Sequence, residues 1–208
     1  MASARTPRAR RKGWPRWGYV AFAGDPYGDG LELDNLPDAV KLAKEMFGDP
    51  VKEFGDMVKL RRRGMCALNK LASLPQVDSS RLASIGFCMG GNFSLELARD
   101  GAPLRGVVSF HGGLRTGRPA QKGQVKAKIL VCTGADDPLV PTEQVLALEA
   151  EMTAAEADWQ VIQYGGVKHN FTDPDTARLK NAALEYHRLA DERSWKAMQL
   201  FFEEIFAA

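Results

Sequence analysis

Residues 82–91 read Leu-Ala-Ser-Ile-Gly-Phe-Cys-Met-Gly-Gly, an apolar run that breaks into a cysteine flanked by glycines. An apolar strand entering Gly86-Phe87-Cys88-Met89-Gly90 and leaving toward a helix reads as a strand, a sharp turn and a helix. Such a turn needs small neighbours, and Gly86 and Gly90 supply them where a Cβ would crowd the backbone. A helix beginning at Met89 points its first N–H groups and its positive end at the Cys88 sulfur. That field favours a thiolate, and the Met89 backbone N–H is placed to donate to a developing oxyanion. Cys88 is therefore a candidate nucleophile. The alternative is a buried cysteine in a glycine-rich turn.

A thiol nucleophile needs a base, and the base needs an orienting group. For a nucleophile at a turn of this kind the order along the chain is nucleophile, acid, base. The acid is expected in Lys128-Ile-Leu-Val-Cys-Thr-Gly-Ala-Asp-Asp-Pro-Leu-Val-Pro141, an apolar strand ending in glycine and two carboxylates. Asp137 is the choice there, and the spacing alone leaves Asp136 open. The base is expected in Trp159-Gln-Val-Ile-Gln-Tyr-Gly-Gly-Val-Lys-His-Asn-Phe171, where a third strand runs into a Gly-Gly loop that delivers His169. The chain holds three histidines. His187 lies in a polar stretch and reads as a surface residue. His111 follows the strand Val107–Phe110 and reaches the same rim, but it precedes the acid and so falls out of order for the base.

Strand-like runs recur at Tyr19–Ala23, Leu82–Phe87, Gly106–Phe110, Ile129–Thr133 and Trp159–Tyr164. Helical stretches separate them at Asp38–Phe47, Glu53–Ser73, Met89–Arg99, Thr142–Thr153 and Asp191–Phe206. This alternation predicts an α/β fold, a mostly parallel sheet with helices on both faces. Trp195, Met198, Phe202 and Ile205 recur at spacings of three and four, a stripe that packs on the sheet.

These residues resemble the dienelactone hydrolase family of the α/β-hydrolases. The resemblance runs from about Gly18 to Ala207. It rests on Gly86-Phe-Cys-Met-Gly-Gly91, Val108-Ser-Phe-His-Gly-Gly113, Gly134-Ala-Asp-Asp-Pro-Leu-Val-Pro141, Tyr164-Gly-Gly-Val-Lys-His-Asn-Phe171 and Asp191-Glu-Arg-Ser-Trp195. Upstream, Gly18-Tyr-Val-Ala-Phe-Ala-Gly-Asp-Pro-Tyr-Gly-Asp-Gly30 is similar to the family's strand and acidic-aromatic loop. The resemblance implies a Cys88–Asp137–His169 triad acting on a dienelactone, a related lactone or an activated ester through a thioester. Tyr27 and Phe171 are expected to line the substrate pocket. The family carries one or two strands ahead of the equivalent of Gly18–Ala23, and residues 1–17 contain no apolar run. The expectation is thus a sheet shortened at the N-terminus, with a bare edge that lowers solubility or drives dimerisation. The competing reading is a non-catalytic or N-terminally truncated relative whose triad is a relic.

A chain of 208 residues suits one domain with a substantial core. Residues 1–17 are expected to form a basic, disordered tail, and 18–208 a single domain. The net charge of +2 asks for no nucleic-acid partner, and no apolar segment is long enough for a membrane span. A monomer or homodimer acting on a small-molecule ester or lactone is expected, without cofactor or metal. Cys66, Cys88 and Cys132 are odd in number and follow no metal-ligand spacing, which fits a reducing cytoplasm. Cys132 is expected to be buried and inert, and Cys66 to lie on a helix face. Arg61-Arg62-Arg63 reads as the solvated face of a helix.

Overall fold

The computed structural model describes residues 17–25, 27, 28, 30, 31, 36–47 and 57–207. The basic tail over 1–16 lies outside these residues, as do 53–56 of the second helical stretch. In chain order the elements are α1 (Leu36–Phe47), α2 (Met57–Ala72), β1 (Ala83–Phe87), α3 (Met89–Arg99), β2 (Gly106–Phe110), β3 (Lys128–Gly134), α4 (Thr142–Ala154), β4 (Trp159–Tyr164) and α5 (Arg188–Phe206). A short 3₁₀ turn spans Thr176–Leu179.

The four strands form one sheet in the order β1-β2-β3-β4, and every pair is parallel. Central strands β2 and β3 are buried on both faces, which is why Gly-Val-Val-Ser-Phe and Lys-Ile-Leu-Val-Cys-Thr-Gly read as nearly unbroken apolar runs. Alternate residues face opposite sides. Val107, Ile129 and Val131 pack with Leu95, Leu97, Leu148 and Met152 beneath α3 and α4. Val108, Phe110, Leu130 and Cys132 pack with Met198, Phe201, Phe202 and Ile205 of α5. Leu95, Val108 and Leu130 are wholly enclosed, and each such side chain contributes roughly 1.5–3 kcal/mol by leaving water.

The expected strand at Tyr19–Ala23 does not form. The segment is irregular and joins no strand, so the sheet has four strands among the described residues rather than five. Its apolar side chains are used differently. Tyr19 sets its ring 5.7 Å from Phe202 and 5.8 Å from Phe206, closing the end of α5.

His187, read from sequence as a surface residue, caps α5. Its half-buried imidazole accepts the Ala190 N–H at 3.2 Å, filling the role that a Ser or Asp side chain takes at other helix starts. No described helix is long and apolar enough to cross a membrane. Among the described residues no group of three or more His, Cys, Asp or Glu is arranged to hold a metal ion.

The register decides where the chemistry can sit. Phe87 lies beside Phe110, Phe110 beside Cys132, and Gly134 beside Tyr164. All four strands therefore end on one rim, where open parallel sheets gather their functional loops. Cys88, His111, Asp137 and His169 all follow these ends.

Candidate active site

Cys88 stands between β1 and α3 with φ 52° and ψ −121°, in backbone space that a residue with a Cβ rarely visits. The turn closes tightly around it. A Cβ on Gly86 would lie 1.8 Å from the Gly90 carbonyl oxygen, so that position admits only glycine. Gly90 itself has open space around its α-carbon; the second tight position is Gly91, where a Cβ would lie 2.4 Å from Ser109 Oγ. The crowding thus comes one residue later than the sequence suggested. The Cys88 carbonyl starts α3 by accepting the Gly91 and Asn92 amides at 2.9 and 3.3 Å. The earlier N–H groups, Met89 first, have no preceding helical carbonyl to serve.

Asp137 and His169 arrive from the neighbouring strand ends. His169 Nε2 lies 3.2 Å from Cys88 Sγ, and His169 Nδ1 lies 2.7 Å from Asp137 Oδ2. Asp137 is held in turn by the Leu139 N–H at 2.8 Å and the Val140 N–H at 3.2 Å, both on Oδ1. The two carboxylates left open in the sequence differ in placement. Asp137 is buried against the histidine, while Asp136 is exposed.

The electrostatics follow from this chain of contacts. Burial works to raise the Cys88 thiol, while nearby positive charge, that of His169 included, and the His169 hydrogen bond pull it down, and the net shift is downward. Burial works to lower His169, while the Cys88 charge and the hydrogen bond to Asp137 raise it, and the net shift is upward. The two shifts run in opposite directions because each group favours the charged form of the other. Cys132 has no such partner: burial pushes its thiol up to about 12. Cys66 is exposed on α2.

Tyr27 lies over the turn. Its hydroxyl donates to Met89 Sδ at 3.7 Å, and its ring packs with Leu60 and Phe93. Burial first, and the nearby Cys88 charge second, hold the phenol above its ordinary value. The loop that presents it is fixed by Asp25, whose carboxylate accepts the amides of Tyr27, Gly28 and Gly30 at 3.1, 2.9 and 2.8 Å. Against the burial that would raise it, these donors keep the Asp25 carboxyl below the usual range.

Phe171, expected to line the pocket, lies elsewhere. It is wholly buried in the core, edge-on to His111 at 5.1 Å and to Tyr164 at 5.6 Å. A parallel bridge between His169 and Leu184 closes this segment, and the Phe171 ring packs into the core with Val167 and Cys132. His111, set aside in the sequence as out of order, is itself part of the assembly: Nδ1 accepts the Cys88 N–H at 3.1 Å. The signal that could have found it is its position directly after β2, in register with Cys88.

Arg61 is the other departure. Far from lying on a solvated face, it is buried, with Nε 2.9 Å from Glu96 Oε2 and one terminal nitrogen 3.2 Å from Asp100 Oδ1. Glu96 also accepts from Arg99 at 2.8 Å. Arg99 holds the Leu114 carbonyl at 2.8 Å, and Arg61 holds that of Arg118 at 3.0 Å. The network thus braces the loop that leaves His111.

Comparison with known proteins gives the family and the fold. The sequence profile of the dienelactone hydrolase family matches residues 14–206. An uncharacterized protein of Caenorhabditis elegans is 40% identical over 154 residues, 72% of this chain and 96% of its own. Among solved structures, m3DLH superposes with a TM-score of 0.89 at 38% identity, covering 99% of this chain and 82% of that one. A dienelactone hydrolase-like promiscuous phosphotriesterase, P91, from metagenomic libraries gives 0.81 at 39% identity, covering 96% and 80%. Sheet, turn and sequence agree, and the chain belongs to the dienelactone hydrolase family of α/β-hydrolases.

Proposed function

We propose that the chain hydrolyses a small lactone or activated ester through a thioester on Cys88. The observation that carries this reading is the unbroken line from Cys88 Sγ to His169 Nε2 at 3.2 Å and from His169 Nδ1 to Asp137 Oδ2 at 2.7 Å. The Cys88 thiolate attacks the carbonyl carbon, and the oxygen that becomes negative is stabilised by the Met89 N–H at the positive end of α3. The C–O bond breaks, and His169 gives its proton to the departing oxygen. Neutral His169 then takes a proton from water, the hydroxide attacks the thioester, the C–S bond breaks, and the carboxylic acid leaves. Asp137 keeps His169 in the tautomer that presents Nε2 to sulfur and offsets the imidazolium charge.

The nucleophile shapes the substrate class. A thiolate leaves as readily as it attacks, so addition to an ordinary alkyl ester reverts. An enol or phenol departs in preference to sulfur, and an enol goes on to its keto form and does not return. Tyr27, with Phe93 and Leu60 behind it, offers the acyl group an aromatic wall.

The similarity to P91, a promiscuous phosphotriesterase, supports a second substrate class for the same site, a phosphotriester. On such a substrate the Cys88 thiolate displaces one ester oxygen at phosphorus, His169 protonates it, and water on His169 then cleaves the P–S bond.

The test is hydrolysis of p-nitrophenyl acetate, an enol lactone and an aryl dialkyl phosphate, with Cys88→Ala and Cys88→Ser alongside. Turnover that vanishes in Cys88→Ala, with a thioester trapped on Cys88 by mass spectrometry, supports the reading. Equal background rates in all three proteins would leave the relic alternative standing in its place.

A further inference from the structure

His111 is wholly buried, and both of its ring nitrogens are engaged. Nδ1 accepts the backbone N–H of Cys88 at 3.1 Å, and Nε2 lies 2.9 Å from Thr172 Oγ1. An amide N–H can only donate, so Nδ1 carries no proton in this arrangement. The ring proton sits on Nε2 and points to Thr172, and the imidazole is neutral. Its ring centre lies 5.2 Å from that of His169, a separation at which a second positive charge would oppose the imidazolium.

Two features show what this ring holds. The Cys88 N–H is shared between Nδ1 of His111 and the Phe110 carbonyl at 2.9 Å, acceptors on consecutive residues of one strand end. Cys88 sits at φ 52° and His111 at φ 39°, so two left-handed, non-glycine residues face each other across the bond. Strain of this kind persists only where the surroundings over-determine it. On its far side the ring reaches Thr172, three residues beyond His169. One imidazole therefore spans from the main chain of the cysteine to the loop that carries its partner histidine, clamped between Phe87 at 6.2 Å and Phe171 at 5.1 Å.

We infer that His111 is a positioning residue, a neutral imidazole strut that sets the Cys88 turn against the His169 loop and so fixes the reach from sulfur to Nε2. This rests on the reading of Cys88 as nucleophile. It adds a second histidine whose part is played through the backbone and not through a proton.

Three substitutions and one spectrum test it. His111→Leu fills the space without an acceptor and is expected to lower kcat about 10²-fold at nearly constant KM, the scale of a small misplacement of reacting groups. The alkylation rate of Cys88 by iodoacetamide falls with it, while that of Cys66 does not. His111→Asn places Oδ1 where Nδ1 now accepts and restores most of the loss. His111→Gln reaches only toward Thr172 and does not. Nitrogen NMR of the imidazole-labelled wild type is expected to place the His111 proton on Nε2, a readout that survives if a variant fails to fold. Equal losses in Leu, Asn and Gln, an unchanged alkylation rate in His111→Leu, or a proton on Nδ1 would each overturn the inference. If Cys88→Ala still hydrolyses esters, the nucleophile reading is wrong, and alkylation and NMR still judge the strut by themselves.

Discussion

Arg99 and Glu151 meet edge to edge inside the protein, with Nε 2.9 Å from Oε1 and a terminal nitrogen 2.8 Å from Oε2. Arg99 is wholly enclosed, and Glu151 is nearly so. A fork-to-fork pair of this geometry is strong once formed, and its halves are poorly tolerated alone. Removing the Glu151 carboxylate leaves a buried guanidinium held by Glu96 and the Leu114 carbonyl. Glu151→Ala is expected to cost about 3–5 kcal/mol in denaturant unfolding. Because Glu151 Oε1 also accepts the Ala120 N–H, the loop of residues 111–127 should exchange its amides faster in the variant. A loss below 1 kcal/mol would show the pair to be expendable.

Asp137→Asn keeps the shape of the side chain and removes its charge. The amide can turn its NH₂ toward His169 Nδ1, which places the imidazole proton on the nitrogen that faces sulfur. The expected result is a fall in kcat on the order of 10³–10⁴, with KM little changed. Asp136→Asn, at an exposed side chain, should leave both constants near wild type. Similar effects from the two variants would reverse the assignment of the acid.

The paired shifts of Cys88 and His169 carry a sign that alkylation can read. The thiol is lowered and the imidazole raised, so the reactive ion pair is present below the ordinary thiol range and persists until His169 loses its proton. The rate of Cys88 modification in wild type is expected to rise with an apparent pKa well below the ~8.5 of a free thiol. In His169→Ala the midpoint moves up toward that value, since burial then acts with no opposing imidazolium. Coincident profiles would mean that the histidine does not ionise the thiol.

Gly86 and Gly90 flank the same cysteine and should respond differently. Gly86→Ala drives a Cβ into the Gly90 carbonyl, main chain that cannot swing aside. A loss of about 4 kcal/mol or more, or failure to accumulate folded protein, is expected. Gly90→Ala meets nothing within 4 Å and lies in helix α3, where alanine is favoured, so its thermal midpoint should match or exceed wild type. Equal destabilisation would refute the packing account of the turn.

How much of this was legible in the sequence depended on whether the cause was local. The strands after residue 82 and their loops announce themselves through apolar runs ending in Gly86, Gly134 or Gly165, and the order Cys88, Asp137, His169 follows from those ends. Arg61 was misread because its partners, Glu96 and Asp100, stand 35 and 39 residues away and leave no trace in a run of three arginines. Tyr19–Ala23 was misread for a similar reason. Its apolar composition was seen, but whether it would pair with a strand or cover α5 is decided by residues far along the chain. The role of His111 was hidden because it depends on the φ values of two residues and on which ring nitrogen meets an amide.

The three thiols have three different fates, and that gives the protein its own internal standard. The Cys88 thiol is lowered beside His169, Cys66 is exposed on α2, and Cys132 is sealed on β3 beneath α5. A limiting electrophile in mildly acidic buffer should tag one sulfur per chain, and that tag counts intact sites. The second tag, on the exposed Cys66 at higher reagent, calibrates the reagent. The third waits for the sheet to open, so its rate is a clock for unfolding, read in the same mass spectrum as the state of the nucleophile.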